Sequence, residues 1–329
     1  MGWHRLRLSD ADISPAARQL QQAYRFHTIR EALHERTLQA VVAALRSMGV
    51  DPILIKGWAL ARLYPEPGLR AYGDHDIVVW PEQHATALSV LANLKIEECY
   101  VDLHSGFGRM ADQPLAALYA RSQMVRLADI DIRVLGPEDH LVLLVRHFLR
   151  HNAWRPLWLC DIAAALESRP AAFDWDRCLD GSRRRADWIA CTLGLAHQLL
   201  DARVDDTPVA HRAKHLPTWF VPAVLRQWDR CTMPGYGGNV VSYVASHWRD
   251  PRQILKEARM RWDMPIAATV ALGGPLNEFP RIPFQLGLAL AHIPGWCCEV
   301  GRYLRPQRRS QTARQSHASN GPISRQHGW

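Results

Sequence analysis

The sequence predicts an α+β protein: a small sheet of short strands, with helices before it and a mainly helical region after it. Three observations carry the prediction. Apolar residues recur at helical spacing from residue 15 to 48. Between residues 50 and 135, short β-branched runs alternate with helical stretches. From Gly136 onward the periodicity turns helical and stays so. The chain accordingly divides into an N-terminal helical segment (1–48), an α/β core (49–135), a helical domain (136–304) and a disordered basic tail (305–329).

The elements follow in order. Ser14-Pro15 is a helix start, with serine as N-cap and proline at the first helical position, and Gly49 is placed to end what is one long helix or two shorter ones. Ile53-Leu54-Ile55 fits a buried strand, and helical spacing resumes from Trp58 to Tyr64. Pro65-Glu66-Pro67-Gly68 is a turn. A second strand is expected at Asp74–Trp80, a helix from Pro81 to Leu94, a third strand from Glu97 to His104, a helix from Gln113 to Arg121, and two strands around Asp129–Val134. Beyond Gly136, helices are expected with faces formed by Leu141, Leu144, Val145, Phe148 and Leu149 and by Leu157, Leu159, Ile162 and Leu166, then at Arg183–Leu200 and Pro222–Trp228. Gly235–Asn239 and Gly273-Gly274-Pro275 read as loops.

Composition narrows the function classes. The chain has 329 residues, 48% hydrophobic and 22% charged, which fits a globular protein with a sizeable core. Its net charge of +8 favours phosphate-bearing partners, but the charge is scattered, which disfavours nucleic acid as the partner. Seven cysteines without a CxxC pair argue against a disulfide framework or a structural zinc site and for a reducing compartment. No apolar signal core follows the first residues, and the cytoplasm is the expected location. Ile282–Cys298 falls short of the roughly 20 unbroken apolar residues of a membrane span and reads as a buried helix.

The stretch from Ile53 to Trp80 concentrates the chemistry. Asp74 and Asp76, one residue apart on an expected strand, point to the same face and can grip one divalent cation. A strand running through Lys56-Gly57 into a helix favours an anion, and Lys56 and Arg70 add cations on either side of the turn. Asp102 lies on the next expected strand, and Asp129 and Asp131 belong to a later one. His147 and His151 lie one turn apart on a helix without the glutamate of a zinc-protease motif; a polar cluster or interdomain contact is the favoured reading, with Asp161 as a candidate partner. Trp154, Trp158 and Trp175 read as packing residues, and Arg183-Arg184-Arg185 as a solvated face.

The combination Ile55-Lys56-Gly57-Trp58-Ala59-Leu60, Tyr64-Pro65, Arg70, Gly73-Asp74-His75-Asp76-Ile77 and Val101-Asp102-Leu103-His104 resembles the polymerase-β-like nucleotidyltransferase superfamily, and within it a mostly uncharacterised bacterial nucleotidyltransferase family. The likeness continues through Pro137-Glu138-Asp139, His147, His151, Asp161-Ile162-Ala163 and Asp174-Trp175-Asp176, covering residues 20 to 200. It implies a small mixed-sheet nucleotidyltransferase core. It also implies transfer of an NMP group from an NTP, ATP first, to a hydroxyl of a small molecule or protein, with pyrophosphate released. Asp74, Asp76 and, as third acid in preference to Asp129 or Asp131, Asp102 would hold Mg²⁺, one ion or two, with Mn²⁺ as substitute. Asp102 would serve as base, Lys56, Gly57 and Arg70 would contact phosphates, and His75, His104, His147 and His151 would stand behind the ligands. Trp58 stands where many members carry serine, and His75 where an aliphatic residue is usual. These two departures and the basic tail motivate a second reading, a nucleotide-binding regulatory protein of antitoxin-like character without turnover.

Overall fold

The structure is a computed structural model and describes residues 14–94, 96, 99–108, 110–111, 113–229, 249–253, 255–256 and 264–291. The expected Gly235–Asn239 loop, the end of the apolar stretch at Cys298 and the tail from Arg305 lie outside the described residues.

A single 33-residue helix, α1 (Pro15–Ser47), opens the described chain. The Ser14 hydroxyl accepts from the Ala17 amide at 3.2 Å, the N-cap that the Ser-Pro pair foretells. Its second half buries Leu38, Val41, Val42 and Leu45, and Gly49, at φ 75°, turns the chain out of the helix.

The sheet follows. Its elements are β1 (Ile53–Leu54), α2 (Trp58–Ala61), β2 (Asp74–Val79), a 3-10 turn at Pro81–Gln83 running into α3 (His84–Asn93), β3 (Tyr100–Ser105), α4 (Leu115–Ala120), β4 (Gln123–Leu127) and β5 (Ile130–Val134). Five strands lie in the order β3-β2-β1-β5-β4. β1 is antiparallel to β2 and parallel to β5, β2 is parallel to β3, and β4 is antiparallel to β5, so the sheet is mixed. The parallel β2–β3 pair is joined by α3, the crossover such a pair requires. Period-two alternation sorts β2: Ile77 and Val79 enter a core with Leu38, Val41, Leu45, Trp58 and Ala87 of the helices, while Asp74 and Asp76 face the other way.

The helices after the sheet are α5 (Pro137–Arg150), α6 (Pro156–Glu167), α7 (Trp175–Leu179), α8 (Arg183–Leu200) and α9 (Ala210–Lys214), then α10 (Phe220–Trp228) and α11 (Pro265–Ala271). Ser182 and Asp174 cap α8 and α7 through their side chains. The chain divides into two compact units, one of Met1–Phe148 with Pro156–Leu216 and a second of Leu149–Arg155 with Pro217–Trp329. The expected boundary at residue 136 therefore falls inside a unit. The reason is polar: the ring Nε2 of His140 on α5 meets the Ile55 carbonyl oxygen at 2.9 Å, Arg121 forms a two-bond pair with Asp139, and Asp161 of α6 accepts from Tyr64 and Arg70. Within the second unit, Asn152 Oδ1 accepts from the first amides of α11, Ile266 at 3.0 Å and Ala267 at 3.2 Å, and its amide nitrogen donates to Gln227 of α10. The tie works because these groups are buried and would otherwise lack partners.

Candidate active site

Register builds the acid cluster. In the parallel β2–β3 pair, Asp74 stands opposite Tyr100, Asp76 opposite Asp102 and Val78 opposite His104. Residues opposite one another share a face, so Asp76, Asp102 and His104 converge. Ligand-capable atoms of these three lie within 4.8 Å of one another. The Asp76 carboxylate, 4% exposed, takes the Lys56 ammonium at 3.1 Å and the His104 Nε2 at 3.2 Å. The same His104 nitrogen is 3.5 Å from Asp102 Oδ2. Burial by itself raises the Asp76 pKa; the His104 hydrogen bond and the Lys56 charge outweigh it and hold the carboxyl below its usual range.

Asp74 sits at the exposed start of β2, outside that three-residue group. The protein around its carboxyl, followed by the negative charge of Asp76, raises its pKa, while Lys56 and Arg70 act in the opposite sense. Asp129 and Asp131, the rival third acids, belong to the far side of the sheet: Asp131 is on β5, exposed and paired with Arg126 at 3.5 Å. Asp102 is the acid that stands beside Asp76.

The Lys56-Gly57 turn is locked against β2. Gly57 has φ 65° and ψ −122°, and a Cβ there would come within 2.6 Å of the Asp74 carbonyl oxygen and 2.7 Å of His75 Nδ1, so only glycine fits. The helix that follows, α2, is only four residues long, which leaves the anion-binding argument to the cations rather than to a helix dipole. Trp58 turns into the core, 5% exposed, and its indole donates to Glu35 of α1 at 3.0 Å.

Arg70 has a partner that spacing does not reveal. It is 7% exposed, and its Nε and Nη2 donate to the two oxygens of Asp161 at 2.8 and 2.9 Å; the Tyr64 hydroxyl donates to the same carboxylate at 2.8 Å. Asp161, considered as a partner for His147 and His151, is thus bonded to Arg70 and Tyr64. His147 packs its ring on Trp158 with centroids 4.4 Å apart, and His151 belongs to the second unit. His75 is fully buried on the face opposite the acids; its Nε2 contacts the His34 carbonyl at 3.2 Å and its ring packs against Tyr72 and His34. Burial brings its pKa down to about 4, so it is neutral at pH 7. His104, expected to stand behind the ligands, lies with Asp76 and Asp102 in a group whose atoms could hold a metal ion; its alternation with Asp102 on β3 is the signal for that in the sequence.

The donor set suits a divalent cation. Two carboxylates from adjacent strands, in a group whose ligand atoms lie within 4.8 Å of one another, supply the oxygens that Mg²⁺ prefers, and an imidazole widens the choice to softer ions. The Lys56 ammonium already occupies a cation's electrostatic role beside Asp76. A metal-capable acid pair on a mixed sheet, flanked by a glycine turn with a lysine, defines the class of site. The chain belongs to the family described as uncharacterised nucleotidyltransferase, whose model matches residues 2–104 and 97–201. A similar solved structure is an antigenic nucleotidyltransferase-like protein from Paracoccidioides brasiliensis, with 13% identity and a TM-score of 0.40 over 54% of this chain and 96% of that one. No curated protein matches the chain.

Proposed function

We propose that the protein transfers a nucleoside monophosphate from an NTP, ATP in the first instance, to a hydroxyl of a small molecule or protein, releasing pyrophosphate. One observation carries the reading: Asp76 and Asp102 are register partners on adjacent parallel strands, beside the Lys56 ammonium, in a chain of a nucleotidyltransferase family. Mg²⁺, or Mn²⁺ in its place, held by Asp76 and Asp102 with Asp74 or His104 completing the set, would neutralise phosphate charge during in-line displacement. Asp76 is buried and doubly hydrogen-bonded, so it stays ionised and fixed. Asp102 keeps more than a third of its side chain accessible at 35% and is placed to accept the proton of an incoming hydroxyl. Lys56, at the Gly57 turn, is the direct phosphate contact. Arg70 contributes from its buried pair as a positive charge near Asp74. His75 backs the turn, and His147 packs rather than reacts.

A second reading, nucleotide binding without turnover, rests on Trp58, whose burial against Glu35 leaves the turn without a hydroxyl for phosphate. Purified protein incubated with NTP, Mg²⁺ and candidate acceptors separates the two. Transfer predicts pyrophosphate release that Asp76→Asn and Asp102→Asn each reduce by at least about 100-fold while circular dichroism is unchanged. Nucleotide binding by calorimetry with no release from wild type would instead favour the regulatory reading. No helix among the described residues is long and apolar enough to cross a membrane.

A further inference from the structure

Three cations lie between residues 56 and 70, and their fates differ. Lys56 is paired with Asp76, and Arg70 is paired with Asp161. Arg62, which ends α2, is half-buried; its Nε is shut off from solvent with no hydrogen-bond partner, and among the described residues no carboxylate pairs with its guanidinium. Burial is the cause that lowers its pKa, with no acid acting in the other direction. Its charge acts on His140, whose imidazole is held neutral by burial and then by the Arg62 charge, and whose Nε2 contacts the Ile55 carbonyl just before the Lys56-Gly57 turn.

A half-buried guanidinium without an acid carries a desolvation cost that the fold itself does not offset. Its flat fork of donors matches one kind of partner best, a tetrahedral or planar oxyanion bound through two hydrogen bonds. We propose that Arg62 is the anchor of an oxyanion site of phosphate type, next to the phosphate turn and distinct from the acid cluster. The oxyanion has two chemical sources in the proposed reaction, the polyphosphate tail of the NTP or a phosphate or carboxylate on the acceptor. The site deepens the nucleotidyl-transfer reading by naming a charge the substrate carries, but binding of the anion itself does not depend on turnover.

The test uses the full chain, inorganic pyrophosphate as probe and EDTA in the buffer, so that the acid cluster takes no part through a metal. Pyrophosphate should raise the Tm of wild type in a concentration-dependent way. Arg62→Met should lose about 10- to 100-fold in pyrophosphate affinity by calorimetry, the size of one or two charge-assisted hydrogen bonds, and Arg62→Lys should fall between. Arg62→Met should also have a Tm at or above that of wild type without the anion, since it removes an uncompensated charge. The Asp102→Asn protein should bind pyrophosphate at least as tightly as wild type, which keeps the outcome separate from the fate of the catalytic reading. If transfer activity is found, a raised KM for NTP in Arg62→Met assigns the site to the nucleotide tail. An unchanged KM for NTP with lost pyrophosphate binding assigns it to the acceptor. Equal pyrophosphate affinity in wild type and Arg62→Met, or no binding by wild type, overturns the proposal.

Discussion

Gly57 shows how far a single residue governs the site. Replacing it with alanine forces a Cβ onto the Asp74 carbonyl oxygen at 2.6 Å in a backbone region that L residues avoid. The backbone strain alone costs ~1–3 kcal/mol. Gly57→Ala should lower the urea midpoint and displace Lys56 from Asp76; a stable variant with full nucleotide affinity would contradict this. Two buried histidines set a pH dependence. His75 and His140 both titrate near 4 in the folded protein, burial being the main cause, against about 6.5 in the unfolded chain. The unfolded state therefore binds more protons between those values, and stability falls as pH drops from about 6.5 to 4, by on the order of 3 kcal/mol per histidine. Glu31 and Asp74, both raised, oppose part of that loss at its acid end. Urea titrations of wild type and His140→Gln at pH 7 and pH 5 check the sign: the variant should lose less stability between the two, and identical losses would remove His140 from the account.

At the scale of elements, the pair of Arg70 with Asp161 fastens α6 to the segment that leads into β2. Asp161→Leu leaves Arg70 charged, buried and without its two acceptor oxygens, a loss of about 3–5 kcal/mol. Adding Arg70→Met to Asp161→Leu should restore most of it, and a denaturation series in which the double variant is no better than the single would refute the pairing as the cause. This lock also marks where sequence reading stops. The strands and the Ser14 cap follow from local rules of spacing and capping, and they are found in place. Periodicity gives the face a residue points to, not what lies opposite. Arg70 and Asp161 are 91 positions apart, and nothing in either neighbourhood announces the other. The same blindness hid Glu35 behind Trp58 and the Ile55 carbonyl behind His140. His104 was closer to legible, since it alternates with Asp102, but its place beside Asp76 depends on the β2–β3 register.

For the whole molecule, the division into units predicts where the chain can be cut. A protein ending at residue 135 would lose His140, Asp139 and Asp161, and with them the partners of the Ile55 carbonyl, Arg121, Tyr64 and Arg70. One ending at residue 216 keeps every one of those bonds. The longer fragment should be soluble, helical by circular dichroism and competent to bind nucleotide, whereas the shorter one should aggregate or remain unfolded. A folded, nucleotide-binding 1–135 fragment would show that the helices after the sheet are dispensable, and would return the boundary to where the change in periodicity first placed it.

The parallel pairing of β2 with β3 has a consequence beyond geometry. Asp76 and Asp102 belong to strands that local turns cannot align; the crossover through α3 must close before the two carboxylates meet. A slip of one residue would keep every amino acid and every strand, yet send one carboxylate into the apolar layer and leave its partner facing solvent. Activity in this protein would then be a readout of alignment. A variant of α3 or of the strand ends could look fully folded by its spectrum and still be silent, and metal affinity at Asp76 and Asp102 would be the measurement that tells a misaligned chain from a correct one.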